Sequence, residues 1–421
     1  EVAEANVTGT FDGTRLTITW IPTPGFVEKL DTVAPRPAGT TAPGSTAPTQ
    51  PRSPAKGPQT LVYEHSADLE FDRLKLSSGS ELPNGIQAPK EMRRLKPPQV
   101  IFPAEWEQSE EILWSYGDAY AAATIYKAAL KGCAANGETV KHRFYVASGA
   151  DERQLRWELA EGLSAAARKV ILYRRAPIQT VWIRDFGPWT VRKKKDDKRA
   201  IGDLGYYADR VDDDRMPVDY AKLRGWERLD LSSLKIEGGN IMSDGKGKVY
   251  LTGRVLEGTG RAANDSQEAV ESTLRQVGAS EVHFVERMAE PEGTGHIDMF
   301  AKLMDENTVL VGRHHDARWA AGLERNAARF ASLGLRVVRV DFARPERTKG
   351  VGAEGLGLMT YTNSLFVGKT VLVTAYKDKE RDSQALDVYR GLGWKPVGVD
   401  VRAIIAQNGA IHCMSMQVPA R

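Results

Sequence analysis

Residues 309–340 read VLVGRHHDARWAAGLERNAARFASLGLRVVRV, and this stretch decides the fold class. Two short apolar runs, Val309–Gly312 and Leu335–Val340, lie on either side of an amphipathic helical pattern over Ala317–Leu333. A strand, a helix and a strand in direct succession are typical of α/β proteins. The sequence therefore predicts an α/β fold.

The same alternation continues on both sides of this stretch, from Pro98 to the end of the chain. Further apolar runs predict strands at Val100–Pro103, Lys169–Tyr173, Val249–Thr252 and Thr370–Tyr376. Further amphipathic stretches predict helices, each beginning with an aspartate as a plausible N-cap, at Asp118–Lys131, Asp151–Arg168, Asp265–Gln276 and Asp382–Leu392. No short-period repeat is visible in the residues themselves. We predict one large α/β domain over residues 98–421.

The residues ahead of this domain have a different composition. Val7–Trp20 contains two β-prone runs around an Asp-Gly turn, which predicts a short β segment within residues 1–33. Residues 34–58 are rich in Pro, Thr, Ala, Gly and Ser, so we predict a disordered linker there, or a plain disordered tail, and an extended connecting segment over 59–97. Such stalks are frequent in exported bacterial proteins, so a secreted or cell-envelope location is expected.

Composition excludes several classes of function. The 58 Lys and Arg residues nearly balance the 55 Asp and Glu residues, which argues against a nucleic-acid partner. No apolar run approaches the ~18 residues of a membrane-spanning helix. Two cysteines are too few for a disulfide scaffold or a Cys-rich zinc module. A GxGxxG match at Gly350 lacks the strand and helix of a dinucleotide site, and the acidic run 212–214 lacks a calcium-loop pattern, so neither a cofactor nor a metal is expected.

Four segments place polar residues among aromatic, Gly and Pro residues, where a plain core would be apolar. They are Trp182–Trp189 at the end of a predicted strand, Glu237–Asn240, Gly293–Asp298 and Asn408–Cys413. His296 and Asp298 are two residues apart, so on a strand both side chains would leave the same face. A carboxylate beside a histidine suits acid–base chemistry, and Cys413 could be the nucleophile that this histidine serves. The plain alternatives are a surface His–Asp hydrogen bond and a buried packing cysteine, the role expected of Cys133.

In order and spacing, six segments resemble the guanidino-modifying superfamily, specifically its bacterial agmatine deiminase and Porphyromonas-type peptidylarginine deiminase branch. They are PAEWEQSEEILWSY (103–116), WIRDFGPW (182–189), EGGNIMSDGKG (237–247), GTGHIDMF (293–300), YTNSLFVGKTVLV (361–373) and NGAIHCMSMQVP (408–419). The resemblance covers nearly everything after residue 100. It implies the pentein fold, a five-bladed α/β propeller, and a reaction without a cofactor.

The resemblance also implies roles for individual residues. Cys413 would attack the guanidinium carbon, His296 would act as acid and then as base, and Asp185 and Asp298 would hold the cation. Trp182, Glu237, Asn363 and Arg210 would contribute to substrate binding. Core packing for Trp182, a structural turn for Glu237 and a strand-end turn for Asn363 are the alternatives. Arg210 matches one of two arginines that receive a substrate carboxylate in the Porphyromonas-type branch, and Ala208 occupies the position of the other.

These roles imply a hydrolase that converts peptidyl or free arginine to citrulline and ammonia through a covalent thiouronium intermediate. The close alternative is an agmatine deiminase that yields N-carbamoylputrescine. An amidinotransferase and a non-catalytic binding module are the alternatives from other classes. The expected partner is a guanidine-containing small molecule or an arginine peptide or protein, and the sequence does not specify an oligomeric state.

Overall fold

The computed structural model describes residues 99–117, 122–257, 264–290, 292–344 and 358–420 in full, together with the backbone of five strands nearer the N-terminus. The predicted linker at 34–58 and the Gly350 motif lie outside the described residues. The chain divides into two units, Glu1–Lys96 and Pro97–Arg421.

The first unit contains a five-stranded antiparallel sheet. Its strands follow one another in chain order: Ala5–Phe11, Arg15–Pro22, Gln59–His65, Arg73–Leu76 and Glu91–Arg93. The first two strands pair with Phe11 opposite Leu16. The stretch that we predicted as an extended connector therefore contributes three strands to this sheet.

The second unit contains five sheets that share one topology, and we call each sheet with its helix a module. In each module, a first and a second strand pair antiparallel, and a third strand then pairs parallel to the second. A parallel pair requires a crossover connection, and a helical segment supplies it in every module. The five modules thus repeat one strand topology, whereas their amino-acid sequences have little in common.

The modules are numbered along the chain by their first strands. Module 1 is Trp189–Lys193, Arg199–Leu204 and Glu227–Leu231, with Val100–Ile101 added at its edge. Module 2 is Ile241–Ser243, Lys248–Thr252 and Glu281–Val285, and module 3 is Ala301–Asp305, Thr308–Arg313 and Arg336–Asp341. Module 4 is Leu365–Val367, Thr370–Ala375 and Lys395–Asp400. Module 5 is Ser415–Pro419, Ser109–Tyr116 and Lys141–Val146, with Ile171–Arg175 added.

The helices match the predicted positions but not the predicted N-caps. The crossover helices of modules 1 to 5 are Val211–Asp214 with Met216–Arg224, Gln267–Val277, Ala317–Ser332, Lys379–Gly391 and Ala122–Ala135. The predicted helix 151–168 is two helices, Gly149–Ala160 and Ala165–Lys169. Three predicted aspartate caps are replaced by a neighbouring residue whose side chain accepts from a first-turn N–H. The observed caps are Ser148 instead of Asp151, Ser266 instead of Asp265, and Asp378 instead of Asp382.

Module 5 joins the two ends of the second unit. Its first strand, Ser415–Pro419, is the last strand of the chain and pairs with Ser109–Tyr116, with Ser415 opposite Trp114. Among the described residues, none of the helices combines the length and the apolar character that crossing a bilayer demands.

The segments singled out in the sequence occupy equivalent places in the modules, each just before a first strand. A short helix, Ile183–Phe186, precedes module 1, and the 3₁₀ turns Gly238–Asn240 and Ile297–Met299 precede modules 2 and 3. Asn363 comes two residues before module 4, and Cys413 comes two residues before module 5. The fold therefore brings residues far apart in sequence to corresponding strand ends.

Candidate active site

The cysteine predicted as nucleophile lies in a buried polar cluster with two predicted partners. Cys413 is 2% exposed, and the Asn363 amide Nδ2 lies 3.2 Å from its Sγ. The same Nδ2 donates to Asp298 Oδ2 at 3.0 Å, and the Cys413 Sγ lies 3.6 Å from that oxygen. The other oxygen, Asp298 Oδ1, is buried and accepts no hydrogen bond from the described residues. A carboxylate oxygen is thus left free beside the thiol.

The carboxylate paired with His296 differs from the predicted one. His296 Nε2 lies 3.1 Å from Glu237 Oε2, and its Nδ1 lies 3.7 Å from Asp185 Oδ1. The prediction that His296 and Asp298 share a strand face is wrong, because residues 297–299 form a 3₁₀ turn in which the alternation of a strand does not apply. This turn is held by the Ile297 N–H, which donates to Asn240 Oδ1 at 3.2 Å.

The charges around His296 favour its protonated form. Burial alone would lower its pKa, but the carboxylates of Glu237, Asp185 and Asp298 and the hydrogen bond to Glu237 raise it to about 9. At neutral pH the ring is therefore an imidazolium. It can donate a proton to a leaving group.

Asp185 lies on the short helix before module 1 and faces the same space. Its Oδ1 accepts a hydrogen bond from the Gly239 N–H at 3.1 Å. Burial raises the pKa of Asp185, and although His296 counteracts this, Glu237 and Asp298 add to it and bring the pKa to about 7. A Cβ on Gly239 would lie 2.7 Å from His296 Nδ1 and 2.9 Å from Asp185 Oδ1, so only glycine permits this close approach.

The Cys413 thiol is neutral in this environment. Burial raises its pKa well above the ordinary value, and the charges of Asp298 and Asp185 raise it further. Cys133 is also buried, but it lies on the helix Ala122–Ala135 within the hydrophobic core, as expected for a packing residue.

Trp182 lies beside the segment that carries the nucleophile. The segment Trp182–Trp189 does not end a strand as predicted. It forms the helix Ile183–Phe186, whose Arg184 N–H donates to the carbonyl of Cys413 at 3.1 Å instead of to a neighbouring strand. A Cβ on Gly409 would meet the half-buried Trp182 ring at 2.3 Å, so ring and loop are in close contact.

Arg210 connects to the site through two tyrosines. Its Nη1 donates to the Tyr206 hydroxyl at 2.9 Å, and its guanidinium lies 4.8 Å from the centre of the Tyr207 ring. The Tyr207 hydroxyl in turn donates to Glu237 Oε1 at 2.8 Å. Arg210 therefore stands on the Glu237 side of the cluster, while Ala208 is exposed.

The sequence reasoning missed a second group of charged residues next to the predicted nucleophile. His412, next to Cys413, places Nδ1 2.7 Å from Asp298 Oδ2 and Nε2 2.7 Å from Glu105 Oε1. Glu105 also pairs with Lys302 Nζ at 2.6 Å and with Arg184 Nη1 at 3.2 Å. Both His412 and Glu105 lie in segments quoted in the sequence analysis. Each is a charged side chain, buried here, in a motif that already contained a stronger candidate, and this is why the sequence reasoning missed them.

The predicted site residues thus converge, and their chemistry is specific. Asp185, Asp298, His296, Glu237, Asn363 and Cys413 meet at one place, with Trp182 and Arg210 at its sides. Within the described parts of the chain, no group of three or more His, Cys, Asp and Glu residues could hold a metal ion. Two carboxylates suit a flat cation that donates hydrogen bonds, and a thiol and a proton donor stand beside them.

Comparison with known proteins agrees with this chemistry. The model of the Porphyromonas-type peptidyl-arginine deiminase family matches residues 101–419. A Latilactobacillus sakei protein provisionally named an agmatine deiminase is 25% identical over 274 residues, which cover 57% of this chain and 75% of that protein.

Solved structures agree on the fold. A Porphyromonas gingivalis protein described as a provisional arginine deiminase has a TM-score of 0.64 at 22% identity, covering 76% of this chain and 98% of that one. The agmatine deiminase of C. jejuni has a TM-score of 0.63 at 20% identity, covering 77% of this chain and 97% of that one.

Proposed function

This chain belongs to the Porphyromonas-type peptidyl-arginine deiminase family, and from that premise we propose that it is a cysteine-dependent guanidine deiminase acting on arginine, free or within a peptide. One observation carries the proposal. The buried thiol of Cys413 lies 3.6 Å from Asp298, whose second oxygen is unpartnered among the described residues. A guanidinium bound to that oxygen would present its central carbon to the sulfur.

The guanidinium of arginine is a planar cation whose pKa lies so far above neutrality that it stays protonated at physiological pH. Asp298 and Asp185 would bind its N–H groups, which leaves the carbon open to attack perpendicular to the plane. The cation would offset the carboxylate charges that hold Cys413 neutral, so the thiol proton would leave to solvent and a thiolate would form next to the carbon.

The bond changes then follow from which groups of the site carry protons. The thiolate adds to the guanidinium carbon, protonated His296 gives its proton to the departing nitrogen, and the C–N bond breaks to release ammonia. A positively charged thiouronium remains on Cys413. Neutral His296 takes one proton from water as the oxygen adds to the same carbon. The C–S bond breaks, the second proton returns to sulfur, and the product is a ureido group.

We propose arginine over agmatine because of the cation at Arg210. A carboxylate at the far end of the substrate would be attracted by this side chain, whereas the ammonium of agmatine would be repelled. Agmatine remains the second candidate, since a relative is provisionally named for that activity. With Ala208 in place of a second arginine, recognition of the carboxylate would rest on one cation.

We further propose that the five modules are arranged as a five-bladed propeller. The shared topology, the pairing of the last strand with module 5 and the convergence of five pre-strand segments support this arrangement. It would place one catalytic or binding residue at the same end of every blade.

The test is ammonia release, with ureido detection, from agmatine, free arginine and peptides that carry arginine at the N-terminus, in the interior or at the C-terminus. Wild type should act on arginine substrates, Cys413→Ala should be inactive, and Cys133→Ala should retain activity. Arg210→Gln should raise KM for substrates with a nearby carboxylate and leave agmatine unaffected. No ammonia from any guanidine would overturn the proposal, and transfer to added amines would indicate an amidinotransferase instead.

A further inference from the structure

His412 has a carboxylate at each ring nitrogen. Nδ1 lies 2.7 Å from Asp298 Oδ2 and Nε2 lies 2.7 Å from Glu105 Oε1, while the ring is 2% exposed. A neutral imidazole has one N–H and can donate to only one of two acceptors. Both contacts are satisfied only when the ring carries two protons.

Glu105 is an ionised acceptor in this arrangement. Burial alone would raise the pKa of Glu105, but His412, Lys302 and Arg184 hold it well below its usual value. Lys302 is 3% exposed and Arg184 is 4% exposed, so these charges compensate one another away from water. An ionised Glu105 has no proton to donate, so the donor in its contact with the ring is His412 Nε2.

The consequence for Asp298 is a fixed orientation. Its Oδ2 accepts from His412 Nδ1 and from Asn363 Nδ2, while its Oδ1 has no hydrogen-bond donor among the described residues. Asn363 Oδ1 also accepts from the His412 backbone N–H at 3.0 Å, which closes a ring of contacts around the carboxylate. Two donors on one oxygen prevent the carboxylate from rotating.

We propose that His412, braced by Glu105, is a positioning residue: it donates from both ring nitrogens and holds Asp298 Oδ2 so that Oδ1 is presented to the substrate guanidinium. The proposal rests on the proposed function, because it assigns the guanidinium to Oδ1. The charged groups around the ring are Asp298, Glu105 and, through Glu105, Lys302 and Arg184. His412 itself does not touch the reacting atoms.

Two matched variants distinguish the contribution of His412 Nδ1 from that of Nε2. The amide of His412→Asn can replace Nδ1 and keep a donor on Asp298, whereas that of His412→Gln can replace Nε2 and keep only the contact with Glu105. A charge-assisted hydrogen bond contributes about 1.5–3 kcal/mol, so we expect His412→Gln to lose about 10- to 100-fold in kcat/KM. His412→Asn should recover most of that loss. Equal losses in two folded variants, or no loss in either, would overturn the proposal.

A second measurement on the wild-type protein does not depend on turnover. In protein with ¹⁵N-labelled histidine, two ring N–H signals of His412 should be observed, assigned by their absence in His412→Gln. A singly protonated His412 ring would overturn the proposal even if the enzyme deiminates arginine. Conversely, two N–H signals in a protein that releases no ammonia would leave the imidazolium in place and refute only the proposed function.

Discussion

Removing the charge of Glu237 should lower the pH above which activity declines, which we call the alkaline limit. Glu237→Gln keeps an oxygen that can accept from His296 Nε2, so it removes the negative charge and little else. At 3.1 Å and an effective dielectric constant of about 20, that charge is worth at most about 5 kcal/mol to the imidazolium. Asp185 would become more acidic and compensate for part of the loss. We therefore expect the pKa of His296 to fall from about 9 by roughly one to two pH units.

The assay is kcat/KM for an arginine substrate as a function of pH. Because the proposed mechanism requires protonated His296, activity should fall above the folded pKa of that ring. A change from about 9 to about 7.5 lowers the protonated fraction at pH 8.5 from about three quarters to about one tenth, a loss of roughly eightfold. Near pH 6.5 the variant should approach wild type in its content of protonated His296.

Tyr207→Phe is the matched control, because it removes a hydrogen bond to Glu237 and keeps the charge. Its alkaline limit should stay near that of wild type. An unchanged limit in folded Glu237→Gln would refute the assignment of His296 as the acid whose charge Glu237 sustains.

Three further predictions address the neighbours of His296. The kcat/KM profile should also fall below about pH 7, because the pKa of Asp185 is about 7 and only its ionised form binds the cation; an acid limit near pH 4 would contradict this. Gly239→Ala should lower kcat/KM by about 100-fold, since its Cβ would intrude on His296 Nδ1, while circular dichroism stays native. A cationic haloacetamidine should alkylate Cys413 at least about tenfold faster than neutral chloroacetamide and should leave Cys133 unmodified in mass spectra.

The sequence predicts the elements of the second unit well, because each is a continuous apolar pattern. The strand expected at Val309–Gly312 is Thr308–Arg313, and the helix expected at Ala317–Leu333 is Ala317–Ser332. The helix termini were harder, since another Ser or Asp close to the predicted aspartate can also accept from a first-turn N–H and form the cap. The fivefold topology was invisible because strand pairing, and not residue identity, is what repeats.

For the site, the sequence likewise identified the residues but not the contacts between them. The residue types that gather were identified by the resemblance, but not the pairing of His296 with Glu237, 59 positions away. That contact depends on which pre-strand segments the modules bring together. The period-2 rule failed at His296 because residues 297–299 form a 3₁₀ turn, in which the Ile297 N–H donates to the side-chain Oδ1 of Asn240. Contacts made by irregular segments have no periodic signal in a single sequence.

The low reactivity of the Cys413 thiol follows from the same carboxylates that would bind substrate. Asp298 and Asp185 disfavour a thiolate while they are uncompensated, so a neutral electrophile meets a buried thiol with a raised pKa. A guanidinium bound to Asp298 Oδ1 and Asp185, as in the proposed function, would offset the negative charge that these carboxylates place near the sulfur. His296 stays protonated through this change, since Glu237 contacts it on the side of Nε2. In the proposed mechanism, nucleophile and acid would therefore both be in their reactive forms only with a cation bound, which would restrict the chemistry to cationic substrates.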